Sequence, residues 1–198
     1  MNIWYGANVA DEVELRLCGD LAGKRAIELG IAATPSSVAP NSVVMAAAGA
    51  KAIALDPDAG AISRVRAAAE RQEVRVECHQ ADLADLGFVT SASVDLVLAS
   101  HTLRGVDDLP RLLRQVHRVL KPGSSFVVAM THPIAAMFGA DHVAQYAYGA
   151  TTLTFSDLYM AFERSNFRLD VVHELGDRRV REAIAPAVLV VRARKQGV

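Results

Sequence analysis

The sequence predicts an α/β fold: a doubly wound sheet of five parallel strands closed by a C-terminal antiparallel hairpin, seven strands in all. Three observations carry that expectation. Short apolar runs alternate with segments of helical periodicity from Arg25 to Met130, the pattern of a mainly parallel sheet. The first run ends in a small-residue turn at Gly30 and the second in a carboxylate, Asp56, as nucleotide-binding units do. The last two apolar runs, Phe167 to Leu175 and Ala187 to Arg194, have no helix-length pattern between them, and a connection without a crossover helix implies antiparallel pairing.

The elements follow in chain order. Asp11 to Leu17 places Val13 and Leu17 four apart, a short amphipathic helix. Gly19 and Gly23 precede the first strand, Ala26 to Leu29. A turn opens at Gly30, a helix runs from about Asn41 to Ala48, and a buried strand ends in Asp56. Pro57 suits a helix start, where a missing N–H has no helical partner, and Ile62, Val65 and Ala69 recur at helical spacing through to Glu73. Val74 to Cys78 alternates like a half-buried strand, and Val94 to Ala99 is nearly all apolar. Asp107 or Asp108 caps the next helix, with Pro110 in its first turn. Its apolar face carries Leu112, Leu113, Val116 and Val119; Arg111, Arg114 and Arg118 fall on the opposite face, read as solvated rather than as a polyanion site. Lys121-Pro122-Gly123 stops it, and Ser125 to Met130 is the fifth strand. Thr154 to Asn166 reads as a capped helix.

The totals set bounds. With 198 residues, 52% of them apolar, and a net charge of −1, the chain is expected to form one packed domain over 1–198. Residues 1–24 form its N-terminal lid and helix, and 132–155 a variable cover over the ligand edge. Near-neutral charge gives no reason to expect nucleic acid or an anionic membrane as partner. The longest apolar run, Val43 to Leu55, is broken by Gly49 and Lys51 and falls short of a membrane span. Cys18 and Cys78 lack metal-ligand spacing and read as small buried hydrophobes; no metal site is expected. Few cysteines and no signal peptide point to the cytoplasm. A nicotinamide enzyme is disfavoured. No G-x-G-x-x-G follows Gly30, and Asp56 lies 26 positions beyond it, against about 20 in the dinucleotide fingerprint.

The motifs, taken together, resemble the class I S-adenosylmethionine-dependent methyltransferases, most closely small bacterial enzymes of the methyltransferase-11/25 type. The likeness runs from about Tyr5 to Lys195. It rests on Glu28-Leu29-Gly30, Asn41-Ser42, Ala48-Gly49-Ala50, Leu55-Asp56-Pro57, Ala81-Asp82-Leu83, Val94-Asp95-Leu96-Val97, Val116-His117-Arg118-Val119-Leu120-Lys121-Pro122-Gly123 and Phe126-Val127-Val128 running to His132-Pro133. The resemblance implies a Rossmann-like fold with S-adenosyl-L-methionine as cofactor, S-adenosyl-L-homocysteine as product and a small-molecule acceptor. It also implies residue roles. Glu28, Gly30, Ile31 and Ala32 would face the methionine part of the cofactor. Asp56 would hold the ribose and Pro57 pack beside the adenine, while Asp82 and Leu83 would bond its edge. Ser100 and His101 would line the floor, and Tyr5 would cover the cofactor. Two departures stand out: Ile31-Ala32-Ala33-Thr34 replaces the later glycines, with Pro35 to Pro40 inserted before Asn41, and Leu103-Arg104 stands where relatives often have Leu-His.

Each residue also has a plainer role. Asp56 could cap the helix after it, and Asp82 could be a surface turn carboxylate. Glu28, inside an apolar strand, needs partners, which backbone N–H groups or a cofactor amine would supply. His101 and His132 follow the fourth and fifth strands at the ligand edge, and either could act as a general base or bond a loop carbonyl. Met137 to Ala150 is a short cover with Phe138, Tyr146 and Tyr148 among small residues. It implies an open acceptor site, or one completed by a second copy in a homodimer. Loss of the later glycines admits another outcome, a non-catalytic binding protein on the same scaffold.

Overall fold

The computed structural model describes residues 2–197; Met1 and Val198, the ends of the expected domain, lie outside the described residues. Seven strands form one sheet in the order β3-β2-β1-β4-β5-β7-β6. They are β1 (Arg25–Leu29), β2 (Lys51–Asp56), β3 (Val76–Gln80), β4 (Val94–Ser100), β5 (Leu120–Thr131), β6 (Phe167–Leu175) and β7 (Val188–Lys195). The first five run parallel, and β7 lies antiparallel to both β5 and β6. The expected fold class is therefore the observed one. The switch point falls between β1 and β4, where strand order reverses and open α/β sheets bind ligands beyond the strand ends.

Alternation along the strands builds two packed layers. Ile27, Leu29, Val97, Phe126 and Val128 point to one face, where they meet Leu112, Leu113 and Val116 of α4 (Leu109–Val119) and Leu158 and Phe162 of α5 (Phe155–Arg164). Phe126, Phe162 and Phe167 form a cluster with ring centroids 5.5 to 6.1 Å apart. Ala26, Ala52, Leu96 and Leu98 face the other way, onto Met45 of α2 (Asn41–Ala47) and onto Ile3, Tyr5, Leu17 and Leu21 of the N-terminal segment. Val65, Ala68 and Ala69 of α3 (Ala59–Arg71) close that face with Val43 and Ala54.

The boundaries differ from the expectation for local reasons. The first helix, α1 (Glu12–Leu15), is one turn long because Arg16 turns left-handed at φ 52°. Pro57 precedes α3 rather than opening it, since Asp58 is the cap and accepts the Ala61 N–H at 2.6 Å. Strand β3 starts at Val76, two residues late. Strand β5 begins at Leu120, paired with Val94 across a register shift. Thr154 and Asp157 form a reciprocal capping box on α5. Arg111 and Arg114 are exposed as expected, but Arg118 is not a solvated residue: its guanidinium donates to the Leu86 and Val89 carbonyls at 2.7 and 2.8 Å and ties that loop to α4. Cys18 and Cys78 are half-buried free thiols. No helix among the described residues is long and apolar enough to cross a membrane, and no group of three or more His, Cys, Asp or Glu among them could hold a metal.

Candidate active site at the carboxyl edge of the sheet

The strand ends bring Glu28, Gly30, Asp56, Asp82, Ser100 and His101 to one edge of the sheet. Gly30 has φ 76°, and a Cβ there would meet Thr102 Cγ2 at 2.2 Å. Glycine is thus required twice, for its dihedral and for the close approach. Thr102 lies over it and donates its hydroxyl to the Leu29 carbonyl at 3.0 Å.

The turn after Gly30 folds back onto Asp56. Ile31 and Ala32 both donate their N–H to Asp56 Oδ2, the second at 2.9 Å, and Asp58 N–H donates to Oδ1 at 2.7 Å. Both oxygens of the 2%-exposed carboxylate are therefore engaged. Arg64 of α3 fastens the turn from the far side, donating to the Thr34 carbonyl at 2.9 Å and the Ile31 carbonyl at 3.1 Å. Ile31 is fully buried. Within the turn the Thr34 hydroxyl is buried without a hydrogen-bond partner, as is that of Ser42 at the start of α2.

Glu28 is fully buried and accepts the Asn41 N–H at 3.0 Å and the Ser42 N–H at 2.6 Å. Pro40 occupies the cap position of α2 and offers no side-chain bond, so Glu28 supplies from β1 the acceptor that the helix lacks. Burial pushes its carboxyl up to about 7, with the nearby Asp56 charge adding to the shift and the helix N–H bonds opposing it.

The N-terminal segment is part of the core rather than a mobile cover. Tyr5 is 1% exposed and donates its hydroxyl to Glu12; burial raises it far above the ordinary phenol range. Trp4 is clasped by Asn41, whose amide accepts the Trp4 N–H at 2.7 Å and donates to the Trp4 carbonyl at 3.1 Å. Ser100 donates its hydroxyl to the same carbonyl at 3.1 Å. The expected floor residue is thus covered by chain. Asp82 and Pro57 are exposed at the rim; Asp82 accepts the Ala84 N–H at 2.9 Å, and Leu83 is buried beneath it.

The two histidines separate. His132 is buried, with Nε2 bonded to Glu174 at 2.8 Å and Nδ1 accepting the Ile134 N–H at 3.2 Å. Both ring nitrogens are used, which fastens the end of β5 to β6. His101 sits at φ 58° and donates Nε2–H to the Tyr5 carbonyl at 2.8 Å, leaving Nδ1 as the lone-pair nitrogen. Burial lowers its pKa, so the ring is neutral at neutral pH. It lines a cavity of about 600 Å³ with Arg104, Thr131, Phe138, Tyr146 and Thr152. A second cavity of about 360 Å³ lies beyond Phe138.

This strand order and edge are those of one known fold. The fold is that of the class I methyltransferases. A family model described as a methyltransferase domain matches residues 37–128. A solved S-adenosylmethionine-dependent methyltransferase from Mesorhizobium loti superposes with a TM-score of 0.71 at 24% identity, over 89% of this chain and 93% of that one. The 1,6-didemethyltoxoflavin-N1-methyltransferase of Burkholderia thailandensis, solved with 1,6-didemethyltoxoflavin and S-adenosylhomocysteine bound, superposes at 0.65 and 16% identity, over 94% of this chain and 75% of that one. Among curated proteins, the zebrafish (Danio rerio) mitochondrial arginine-hydroxylase NDUFAF5 is 41% identical over 58 residues, 29% of this chain. That match spans only 18% of the curated relative.

The class I methyltransferase fold implies S-adenosylmethionine, and the donor set can be tested against it. In the conformation described, the residues do not fit that group. Asp56 is buried under its own turn with three backbone N–H groups on its carboxylate, Thr102 stands over Gly30, and the Trp4 backbone covers Ser100. Arg64, Thr102, Asn41 and Trp4 were not singled out from sequence as site residues, because each acts through partners 30 or more positions away.

Proposed function

We propose that this chain is an S-adenosylmethionine-dependent methyltransferase that transfers a methyl group to a small-molecule acceptor, releases S-adenosylhomocysteine and works in a reducing cytoplasm. One observation carries the reading: Glu28, Gly30, Asp56, Asp82 and Ser100 lie in order at the carboxyl ends of β1, β2, β3 and β4, beside a cavity lined by His101. The matched domain and the structural neighbours support the same reading. His101 is the residue placed to accept a proton from an acceptor in that cavity, being neutral with Nδ1 as its remaining lone pair. The closed turn imposes a condition, namely that it must draw back from the buried Asp56 carboxylate before a ribose can reach it. Isothermal calorimetry with S-adenosylhomocysteine tests the proposal. Saturable heat that disappears in Asp56→Ala supports it; no heat and no thermal shift at millimolar ligand refutes it.

A second reading has its own observation. The buried Asp56 carboxylate, bonded to its own turn, and the Arg64 fastening favour a non-catalytic binding protein on the same scaffold. That reading expects a folded protein without cofactor affinity, and methyl transfer to any acceptor eliminates it.

A further inference from the structure

The cavity beside His101 has an uneven charge lining. Arg104 is its one formal cation, and no Asp or Glu takes part in the wall. Six other arginines are committed within the chain. Arg25, Arg178, Arg192 and Arg194 pair with carboxylates, and Arg64 and Arg118 bond backbone carbonyls. Among the described residues, the Arg104 guanidinium has neither kind of partner although Asp107 and Asp108 follow it closely in sequence; Asp108 instead caps α4 through the Arg111 N–H at 2.8 Å. A guanidinium that lines a concave site without an ion-pair partner attracts an anion, and its planar fork fits a carboxylate.

The rest of the wall is suited to a flat apolar body. Phe138, Tyr146, Met130 and the His101 ring offer aromatic and thioether surfaces, while Thr131, Thr151 and Thr152 offer hydroxyls. About 600 Å³ is ample for one ring system with substituents.

We propose that the acceptor-side cavity binds an aromatic carboxylic acid, with Arg104 bonding the carboxylate and Phe138 and Tyr146 flanking the ring. The inference rests on reading this cavity as the acceptor side, but binding of the acid does not require the cofactor. Trp4, the chain's single tryptophan, provides the readout, since its ring lies 5.2 Å from that of His101. Its fluorescence would be titrated with benzoate, benzamide and benzylamine, which share a ring and differ in charge. The expected order of affinity is benzoate, then benzamide, then benzylamine, with benzoate favoured over benzamide by about tenfold or more, the scale of one charge-assisted hydrogen bond. Arg104→Gln should erase the preference and Arg104→Lys retain part of it. Equal response to the three probes, no response to benzoate, or an unchanged preference in Arg104→Gln overturns the proposal. Repeating the titration with S-adenosylhomocysteine separates the two claims. A benzoate preference without any S-adenosylhomocysteine binding upholds the acid site while removing the methyltransferase reading.

Discussion

The two halves of the ligand edge stand in opposite states. On the β1–β2 side the charged groups are committed within the chain, Asp56 to the turn, Glu28 to α2 and Arg64 to two carbonyls, while the Thr34 and Ser42 hydroxyls are buried without a partner. On the β4–β5 side the Arg104 guanidinium, the His101 Nδ1 and the Tyr146 hydroxyl line open space and have no hydrogen-bond partner among the described residues. Committed groups stabilise a fold, whereas uncommitted groups at a concave surface are available to a ligand. Under the proposed function, the contrast means that the β1–β2 half has to open its turn to take the cofactor, whereas the cavity beside His101 is open already.

Substitutions can break that contrast. The largest effect is expected for Asp56→Ala, which strips three backbone N–H groups of their acceptor and should cost about 3–5 kcal/mol in urea denaturation. Gly30→Ala should cost about 2–4 kcal/mol, from a left-handed φ and a clash with Thr102. Glu28 gives a pH signature. Its folded carboxyl is raised to about 7 from 4.5, so its contribution is fully present below pH 4.5 and is lost as pH rises through 7. The stability of the native chain relative to Glu28→Gln should therefore fall across that window, by up to about 3 kcal/mol, as read from urea midpoints at stepped pH. Arg64→Ala should cost only about 1–2 kcal/mol yet speed amide exchange at Ile31 and Ala32 and strengthen S-adenosylhomocysteine binding; a turn that stays protected would disconnect Arg64 from the closure. Tyr146→Ala, on the open side, should stay within about 0.5 kcal/mol.

Strand content and the division into parallel strands and a closing antiparallel hairpin were legible because apolar runs, turn residues and connection lengths are local signals. The strand-end acids were legible for the same reason, as Asp56 and Asp82 end their segments in sequence. The state of the site was not. Whether Asp56 faces a ribose or its own turn depends on Arg64 meeting Ile31 and Thr34 across 30 and more positions, and no local pattern encodes that meeting. Glu28 was readable as a buried carboxylate in need of partners, and the structure supplies the backbone N–H groups that were one of the two options. His101 and His132 looked alike from sequence; only the carbonyl of Tyr5 and the carboxylate of Glu174, distant in the chain, tell them apart.

The bond between Ser100 and the Trp4 carbonyl spans 96 positions, which gives the molecule an order of assembly. Trp4 is also held by Asn41, but its carbonyl gains the Ser100 hydroxyl only once β4 is in place. Long-range closures of this kind form late and leave apolar segments bare in the interim. The closure of the Trp4 carbonyl onto Ser100 is therefore expected among the later contacts to form on refolding.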